Sequence, residues 1–246
     1  MCKTGYIHSY ESLAAVDGDG LRYGVFMSGC PLRCVCCHNP DTWNMQAGTQ
    51  TDAAALVRKL ARYKTYFKDT GGVTFSGGEP LCQAAFLREV ADLLKKEGIR
   101  YILDTSGAVP LTEDVRYLLL HAQGILLDIK YASDEAYRRY TGAGMAMPLA
   151  MLDFLCEHRR SVTVRTVVIP GINDSEEAMD GYVSLLKGRP IRRYELLPFH
   201  TMGFHKYEAL GLDNPLLHTA PQDADALRRL QAYADARLRF NAPTFP

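Results

Sequence analysis

The sequence predicts an α/β fold, a partial (open) parallel β/α barrel of about six βα units in a single domain. Three observations predict it. Between Leu21 and Leu238, short apolar or β-branched runs alternate with stretches at helical spacing, as in strands joined by crossover helices. The runs are continuously apolar rather than alternating, as strands buried on both faces require. A closed barrel of eight units takes about 250 residues, and a chain of 246 with a long cysteine loop has no room for it.

Each element follows in order. The first strand is expected over 21–27, followed by a loop over 28–43 that carries four of the seven cysteines. Leu56, Leu60, Tyr63 and Phe67 then recur at steps of three and four after Thr51 and Asp52, a helix with its N-cap region. A strand over 73–75 leads to the stripe Phe86, Val90, Leu93 and Leu94, which stops at Gly98. Strands over 100–103 and 125–129 bracket a short helix over 115–120. Leu149, Leu152, Leu155 and Cys156 precede a strand over 162–169. Met179, Tyr182, Leu185 and Leu186 precede another over 194–197. Leu227, Leu230, Ala234 and Leu238 mark a terminal helix of about 222–239. Each stripe reads as a core-facing surface that needs no cofactor. No repeat or long linker divides the chain, so one domain is expected over 1–246, with a core of 21–210.

Composition excludes several classes. Twenty-eight Lys plus Arg balance twenty-eight Asp plus Glu, which speaks against nucleic acid, whose binding rests on basic excess. At 47% hydrophobic residues the chain can bury a sizeable core, and disorder is not expected. No run approaches the roughly 18 apolar residues of a membrane span, and the first residues lack the apolar region of a secretory signal. A cytoplasmic protein is expected. Seven cysteines, clustered rather than dispersed, point to reduced thiols and to metal or redox chemistry instead of a disulfide framework. Cys2, Cys82 and Cys156 stand singly and read as packing.

The polar residues keep one phase along this scaffold. The cysteine loop follows the first strand and Gly77-Gly78-Glu79 the second. Asp104 and Thr105 end the third, Asp128 and Lys130 end the fourth, Arg165 lies in the fifth, and Pro198-Phe199-His200 end the sixth. The carboxyl ends of parallel strands share a face, and active sites are built there.

Cys30, Cys34, Cys36 and Cys37 admit more than one chemistry. A structural zinc site wants two close pairs, and no second C-x₂-C exists. A Cys34-x-x-Cys37 redox couple leaves Cys30 without a task. Cysteines at x₃ and x₂ spacing can hold three irons of a [4Fe–4S] cube and leave the fourth open, and an open metal position marks a catalytic centre.

Cys30-x₃-Cys34-x₂-Cys37 followed by Gly77-Gly78-Glu79-Pro80 resembles the radical S-adenosylmethionine enzymes. Further segments resemble their glycyl-radical-enzyme activating branch: Ile7-His8-Ser9 with Glu11, Val16-Asp17-Gly18, Cys37 to Trp43, Leu103 to Gly107, and Leu127 to Lys130. Arg165 to Gly171, Glu195 to His200, and Gly203 with His205, Lys206 and Tyr207 complete the set. The matches run in order from residue 5 to about 210.

That resemblance implies one [4Fe–4S] cluster per chain, ligated by Cys30, Cys34 and Cys37, and S-adenosylmethionine chelated at the open iron. One-electron cleavage of the sulfonium would yield methionine and a 5′-deoxyadenosyl radical, which takes a hydrogen atom from a backbone glycine of a partner enzyme. It further implies cofactor contacts from Cys36, His38, Gly77, Gly78, Glu79, Asp104, Asp128, Ile129, Lys130 and His200. Asp104, Thr105 and Asp128 become candidates for holding a monovalent cation, and Asp17 and Arg165 for the glycine-bearing peptide. The implied partners are a glycyl radical enzyme and a flavodoxin or ferredoxin as electron donor, with the chain itself a monomer. Only about 30 residues separate Trp43 from Val73, too few for the ferredoxin-like insertion of many activators, and this favours pyruvate formate-lyase as the glycyl radical enzyme. Activators of other partners without an insertion remain an alternative.

Two positions depart from the pattern. Cys36 stands where an aromatic residue usually precedes the third ligand, and Asp19 stands where proline usually precedes the last glycine of the loop 17–20. Competing readings are plain: Asp128 and Lys130 pair only with each other, Gly77-Gly78 is only a turn, and Trp43 and Phe199 are core or stack on cofactor. A non-catalytic iron–sulfur electron carrier explains the cysteines but leaves Glu79, Asp104, Asp128 and His200 without work.

Overall fold

The structure is a computed structural model that describes residues 3–14 and 18–238. Cys2, Asp17 and the predicted helix end at 239 lie outside the described residues. Among the described residues, eight strands form one open, mostly parallel sheet in the order β3-β1-β2-β4-β5-β6-β7-β8, where numbering follows the chain. By internal contacts the chain divides into two compact units, Met1–Pro31 with Asp41–Leu126, and Leu32–Pro40 with Leu127–Pro246.

The first unit carries β1 (Thr4–Ala14), β2 (Arg22–Met27), β3 (Thr49–Asp52), α1 (Ala53–Ala61), α2 (Lys64–Phe67), β4 (Gly72–Gly77), α3 (Ala84–Lys96), β5 (Tyr101–Thr105) and α4 (Glu113–His121). β2, β4 and β5 run parallel, with Arg22 beside Gly72 and Met27 beside Gly77. Asp52 caps α1 by accepting from the Ala55 N–H at 2.7 Å, and Gly98, at φ +66°, ends α3 in the left-handed conformation. The predicted stripes face inward: Leu56, Leu60, Phe86, Val90 and Leu94 are buried.

Arg22 is 1% exposed, a charge inside this unit. It is tolerable because oxygens surround it: its guanidinium donates to Thr74 Oγ1 and Val73 O at 2.8 Å and to Asp19 O at 3.0 Å. These bonds tie the loop containing Asp19 to the start of β4.

β6 (Gly124–Asp128) carries the chain into the second unit, which holds α5 (Asp134–Thr141), α6 (Ala146–Glu157), β7 (Val162–Val168), α7 (Glu176–Leu186), β8 (Arg193–Pro198), α8 (His205–Ala209) and α9 (Ala224–Leu238). β7 and β8 are parallel, Arg165 lying beside Glu195. Gln231 on α9 accepts from Leu196 N–H at 2.8 Å and donates to Tyr194 O at 2.9 Å. A side-chain amide thus satisfies backbone groups of the last strand, which would otherwise be an open edge.

All six predicted strands are present, and two more precede or interrupt them. β1 pairs antiparallel with both β2 and β3. Its residues and those of β3 are largely polar, so they lack the apolar run by which the others were recognised. The helix α5 was missed for the same reason, since only Tyr137 and Thr141 of its eight residues are buried.

Candidate functional site

In the first unit, β2 and β4 end level with each other, Met27 beside Gly77. Gly77 has φ +105°, a conformation that favours glycine. The Gly78 N–H donates to Met27 O at 2.9 Å and the Glu79 N–H to Gly29 O at 2.7 Å. A Cβ on Gly78 would lie 2.4 Å from Gly29 O, so this turn lays bare backbone directly against the residue before Cys30. The loop exit is fastened by Gly29 N–H to Thr42 O at 2.7 Å and Cys30 N–H to Trp43 O at 3.3 Å. Gln83, which no sequence signal marked, holds the same corner by donating to Tyr6 O and Ser28 O at 2.8 and 2.9 Å.

Glu79 is fully buried. Its Oε1 accepts from Leu81 N–H at 3.1 Å and the Thr105 hydroxyl at 2.7 Å; its Oε2 accepts from Ser106 N–H at 2.8 Å and the Ser106 hydroxyl at 2.5 Å. Burial pushes its carboxyl above the ordinary range, with these donors pulling it back in part. The carboxylate therefore clamps the turn to the end of β5. Asp104 Oδ2 accepts from the Ser76 hydroxyl at 2.8 Å. Thr105, a candidate cation ligand, spends its hydroxyl proton on Glu79 and accepts from Gly107 N–H at 3.0 Å. Cys82 lies within electrostatic reach of Glu79 and Cys30, and burial pushes its thiol up to about 12.

The other three cysteines of the loop belong to the second unit. The Cys37 N–H donates to Cys34 O at 3.1 Å, closing a turn. Arg33 N–H to Thr141 O at 2.7 Å and Val35 N–H to Tyr140 O at 3.0 Å fix that turn to the end of α5. Donors that follow β8 hold it as well: Tyr207 to Cys37 O and Asn214 to Val35 O, both at 3.1 Å, and Lys206 to Asn39 Oδ1 at 2.9 Å. The His38 and His200 rings stack, with centroids 4.0 Å apart. His38 Nε2 donates to His200 O at 2.7 Å, which puts its proton on Nε2, and burial lowers its pKa so the ring is neutral. His200 Nδ1 is buried with no partner among the described residues. Phe199 is fully buried against Phe204, a core residue.

Asp128 and Lys130 do pair, at 2.7 Å, but Arg165 joins them, its Nε 3.0 Å from the other Asp128 oxygen. Burial opposes the Asp128 charge, yet Arg165 and Lys130 outweigh it and hold the carboxyl below its usual range. Lys130 is placed through its backbone: its N–H donates to the Tyr137 hydroxyl at 3.3 Å and its carbonyl accepts from Tyr182 at 3.1 Å. Ile129 is held in the same way, its N–H donating to Arg165 O at 3.0 Å and its carbonyl accepting from Thr166 at 2.8 Å. The Cys34 and Cys36 sulfurs lie within electrostatic reach of the Lys130 ammonium.

Residues 25–182 match the radical SAM superfamily. The chain belongs to that superfamily. It is 42% identical over 234 residues to a Clostridium pasteurianum protein named pyruvate formate-lyase-activating enzyme, covering 93% of this chain and 96% of that one. A Streptococcus mutans protein of the same name is 35% identical over 254 residues, covering 97% and 96%. Among solved structures, a domain of pyruvate-formate lyase-activating enzyme from Bacteroides vulgatus matches at TM-score 0.55 and 19% identity, over 68% of this chain and 94% of that one. Streptococcus suis SuiB bound to its precursor peptide SuiA matches at TM-score 0.67 and 16% identity, over 88% of this chain and 45% of that one. The two structural likenesses show the fold alone.

This radical SAM chain is an enzyme of that class, and the superfamily implies a [4Fe–4S] cluster and S-adenosylmethionine. The described residues gather no three His, Cys, Asp or Glu side chains around a metal position. Cys30, Cys34, Cys36 and Cys37 are nonetheless all free cysteines and none is fully buried as a residue, and sulfur is the donor that iron clusters take. Within the first unit the bare cradle at Gly78 leaves backbone open to a polar group, and within the second the orphaned His200 Nδ1 offers a polar atom of its own. Gly18 and Gly20 pack against Ile102 and the Thr70–Gly71 backbone, at the start of β4 and β5. The described part of the loop containing Asp17 thus sits one strand length, about 16 Å, from Gly77. Among the described residues no helix is long and apolar enough to cross a membrane.

Proposed function

We propose that this enzyme activates pyruvate formate-lyase by generating a radical on a backbone glycine of that protein. The observation that carries the reading is likeness from end to end with the activating-enzyme relatives, over 93% of this chain and 96% of the Clostridium pasteurianum protein. When bound, a reduced cluster and S-adenosylmethionine would supply one-electron cleavage of the sulfonium, and with it the means to take a hydrogen atom from the glycine, with methionine and 5′-deoxyadenosine as products.

The chain's own residues bind and orient. Cys30, Cys34 and Cys37 are the proposed cluster ligands. Gly77 and Gly78 offer backbone without side chains beside Cys30, where an amino group can approach. The Lys130 ammonium, compensated by Asp128, faces the cysteine turn and suits a carboxylate. The flat His38–His200 stack, with Cys36 and Ile129, suits an adenosine. Arg165, its guanidinium oriented by Asp128, is proposed to hold the peptide, together with Asp17. A flavodoxin or ferredoxin is the proposed electron donor.

The test is anaerobic reconstitution with iron and sulfide, reduction, and addition of S-adenosylmethionine with pyruvate formate-lyase. A glycyl radical signal in electron paramagnetic resonance, with matching 5′-deoxyadenosine, is expected. Release of 5′-deoxyadenosine without a radical on that partner would redirect the proposal to another glycyl radical enzyme. No release at all would leave an electron carrier.

A further inference from the structure

Tyr131 follows Lys130 directly and is 3% exposed, yet its hydroxyl has no hydrogen-bond partner among the described residues. A buried hydroxyl without a partner is rare and calls for an explanation. The ring is fixed. It lies 5.0 Å from the Tyr140 ring and edge-on to Tyr137 at 6.2 Å. The Tyr140 carbonyl in turn accepts from the Val35 N–H at 3.0 Å, between Cys34 and Cys36. The backbone on the other side is held by the Tyr137 and Tyr182 hydroxyls at Lys130. Burial above all, and after it the neighbouring Cys36 and Cys34 sulfurs, push the Tyr131 phenol up, so the hydroxyl keeps its proton.

We propose that the Tyr131 hydroxyl donates a hydrogen bond to a sulfur of the cluster held by Cys34 and its partners, and thereby raises the cluster's reduction potential. The inference rests on the cluster reading above. Cluster sulfurs are acceptors, and no group among the described residues claims this donor. A hydrogen bond to sulfur favours the reduced, more negative cluster, which is how proteins tune such centres. Tyr131 is in this sense a positioning and tuning residue, not a catalytic one.

The test compares wild type with Tyr131→Phe, which keeps the ring and removes the donor. Iron and sulfide content are measured first, then the midpoint potential by paramagnetic resonance titration without S-adenosylmethionine. Equal cluster content and a more negative midpoint in the variant are expected. As a second arm, 3-fluorotyrosine at position 131, a stronger donor, moves the midpoint the other way. An unchanged midpoint in both overturns the proposal, as does a shift seen only after S-adenosylmethionine is added. If Tyr131→Phe fails to load, the fluorotyrosine protein decides alone. A wild type that forms no [4Fe–4S] signal overturns the cluster reading itself, which separates the two failures.

Discussion

Ser106 donates twice to one oxygen of Glu79, through its backbone N–H at 2.8 Å and its hydroxyl at 2.5 Å. With Leu81 N–H and the Thr105 hydroxyl on the other oxygen, the site is built for an acceptor on both sides. The amide introduced by Glu79→Gln would point its NH₂ at one pair of donors. A hydroxyl can turn and accept; a backbone N–H cannot. Glu79→Gln is therefore expected to cost about 1–3 kcal/mol, the penalty of one buried unsatisfied donor, read by urea denaturation at neutral pH. Because burial raises the folded carboxyl, the folded state binds more protons than the unfolded one just above the ordinary carboxylate range. Wild-type stability then falls as pH rises through that window, and Glu79→Gln removes that fall. Equal stability of the two proteins at all pH values would contradict the clamp.

Asp128 serves two cations, Lys130 and Arg165, at 2.7 and 3.0 Å. Asp128→Asn removes the counter-charge that the two share inside the protein. Breaking one side of a buried pair costs about 3–5 kcal/mol. The pH dependence has two signs. The lowered Asp128 carboxyl gives stability that is full above 3.8 and lost as pH falls through its folded pKa. The raised Lys130 ammonium gives stability that is full below 10.5 and lost as pH rises through its folded pKa. Thermal denaturation should thus show a steady gap between wild type and variant across the neutral range, closing only toward acid or alkali. A gap that opens or closes near neutrality would show that these are not the groups responsible.

Apolar strands and glycine stops were legible in the sequence because burial on both faces leaves a run of Val, Ile and Leu. β1 and β3 were not, since a half-exposed strand of Thr, Ser, Gln and Glu looks like a loop. The phase of Glu79, Asp104, Asp128 and His200 was legible from position alone. Their bonding was not: nothing in the spacing says that Glu79 is consumed by Ser106 and Thr105, or that Arg165 shares Asp128 with Lys130. Gln83 and Tyr131 gave no signal, because a single polar residue beside a helix start or after a lysine has no pattern to read.

Gly203 shows how closely the second unit packs around His38. A Cβ there would lie 2.4 Å from His38 O and 2.8 Å from its Cα, atoms that cannot yield without moving the backbone next to Cys37. Gly203→Ala is expected to destabilise by about 1–3 kcal/mol, as overpacking does, and to lower iron retained after reconstitution. Gly188→Ala, at a position with open space but φ +80°, serves as a comparison that strains backbone outside the cysteine loop, between α7 and β8. Iron loss of the same size in both would show that general strain, not displacement of His38, is responsible.

Cys36 and Cys37 are neighbours with different surroundings, and this separates their expected roles. Burial pushes the Cys36 thiol up to about 11, and the Lys130 ammonium only partly offsets it. A ligand must give up its proton, so Cys36 is poorly suited. Cys37 has its N–H on Cys34 O and its carbonyl on the Tyr207 hydroxyl, both at 3.1 Å, which sets it one turn from Cys34. After anaerobic reconstitution, Cys36→Ala is expected to keep its iron and sulfide and to release 5′-deoxyadenosine from S-adenosylmethionine. Cys37→Ala, like Cys30→Ala and Cys34→Ala, is expected to lose the cluster and all cleavage. Tyr207→Phe should fall between them, retaining the cluster with faster iron loss to a chelator, because it loosens Cys37 without removing the thiolate. Iron loss in Cys36→Ala with retention in Cys37→Ala would exchange the two assignments and shift the ligand spacing by one residue.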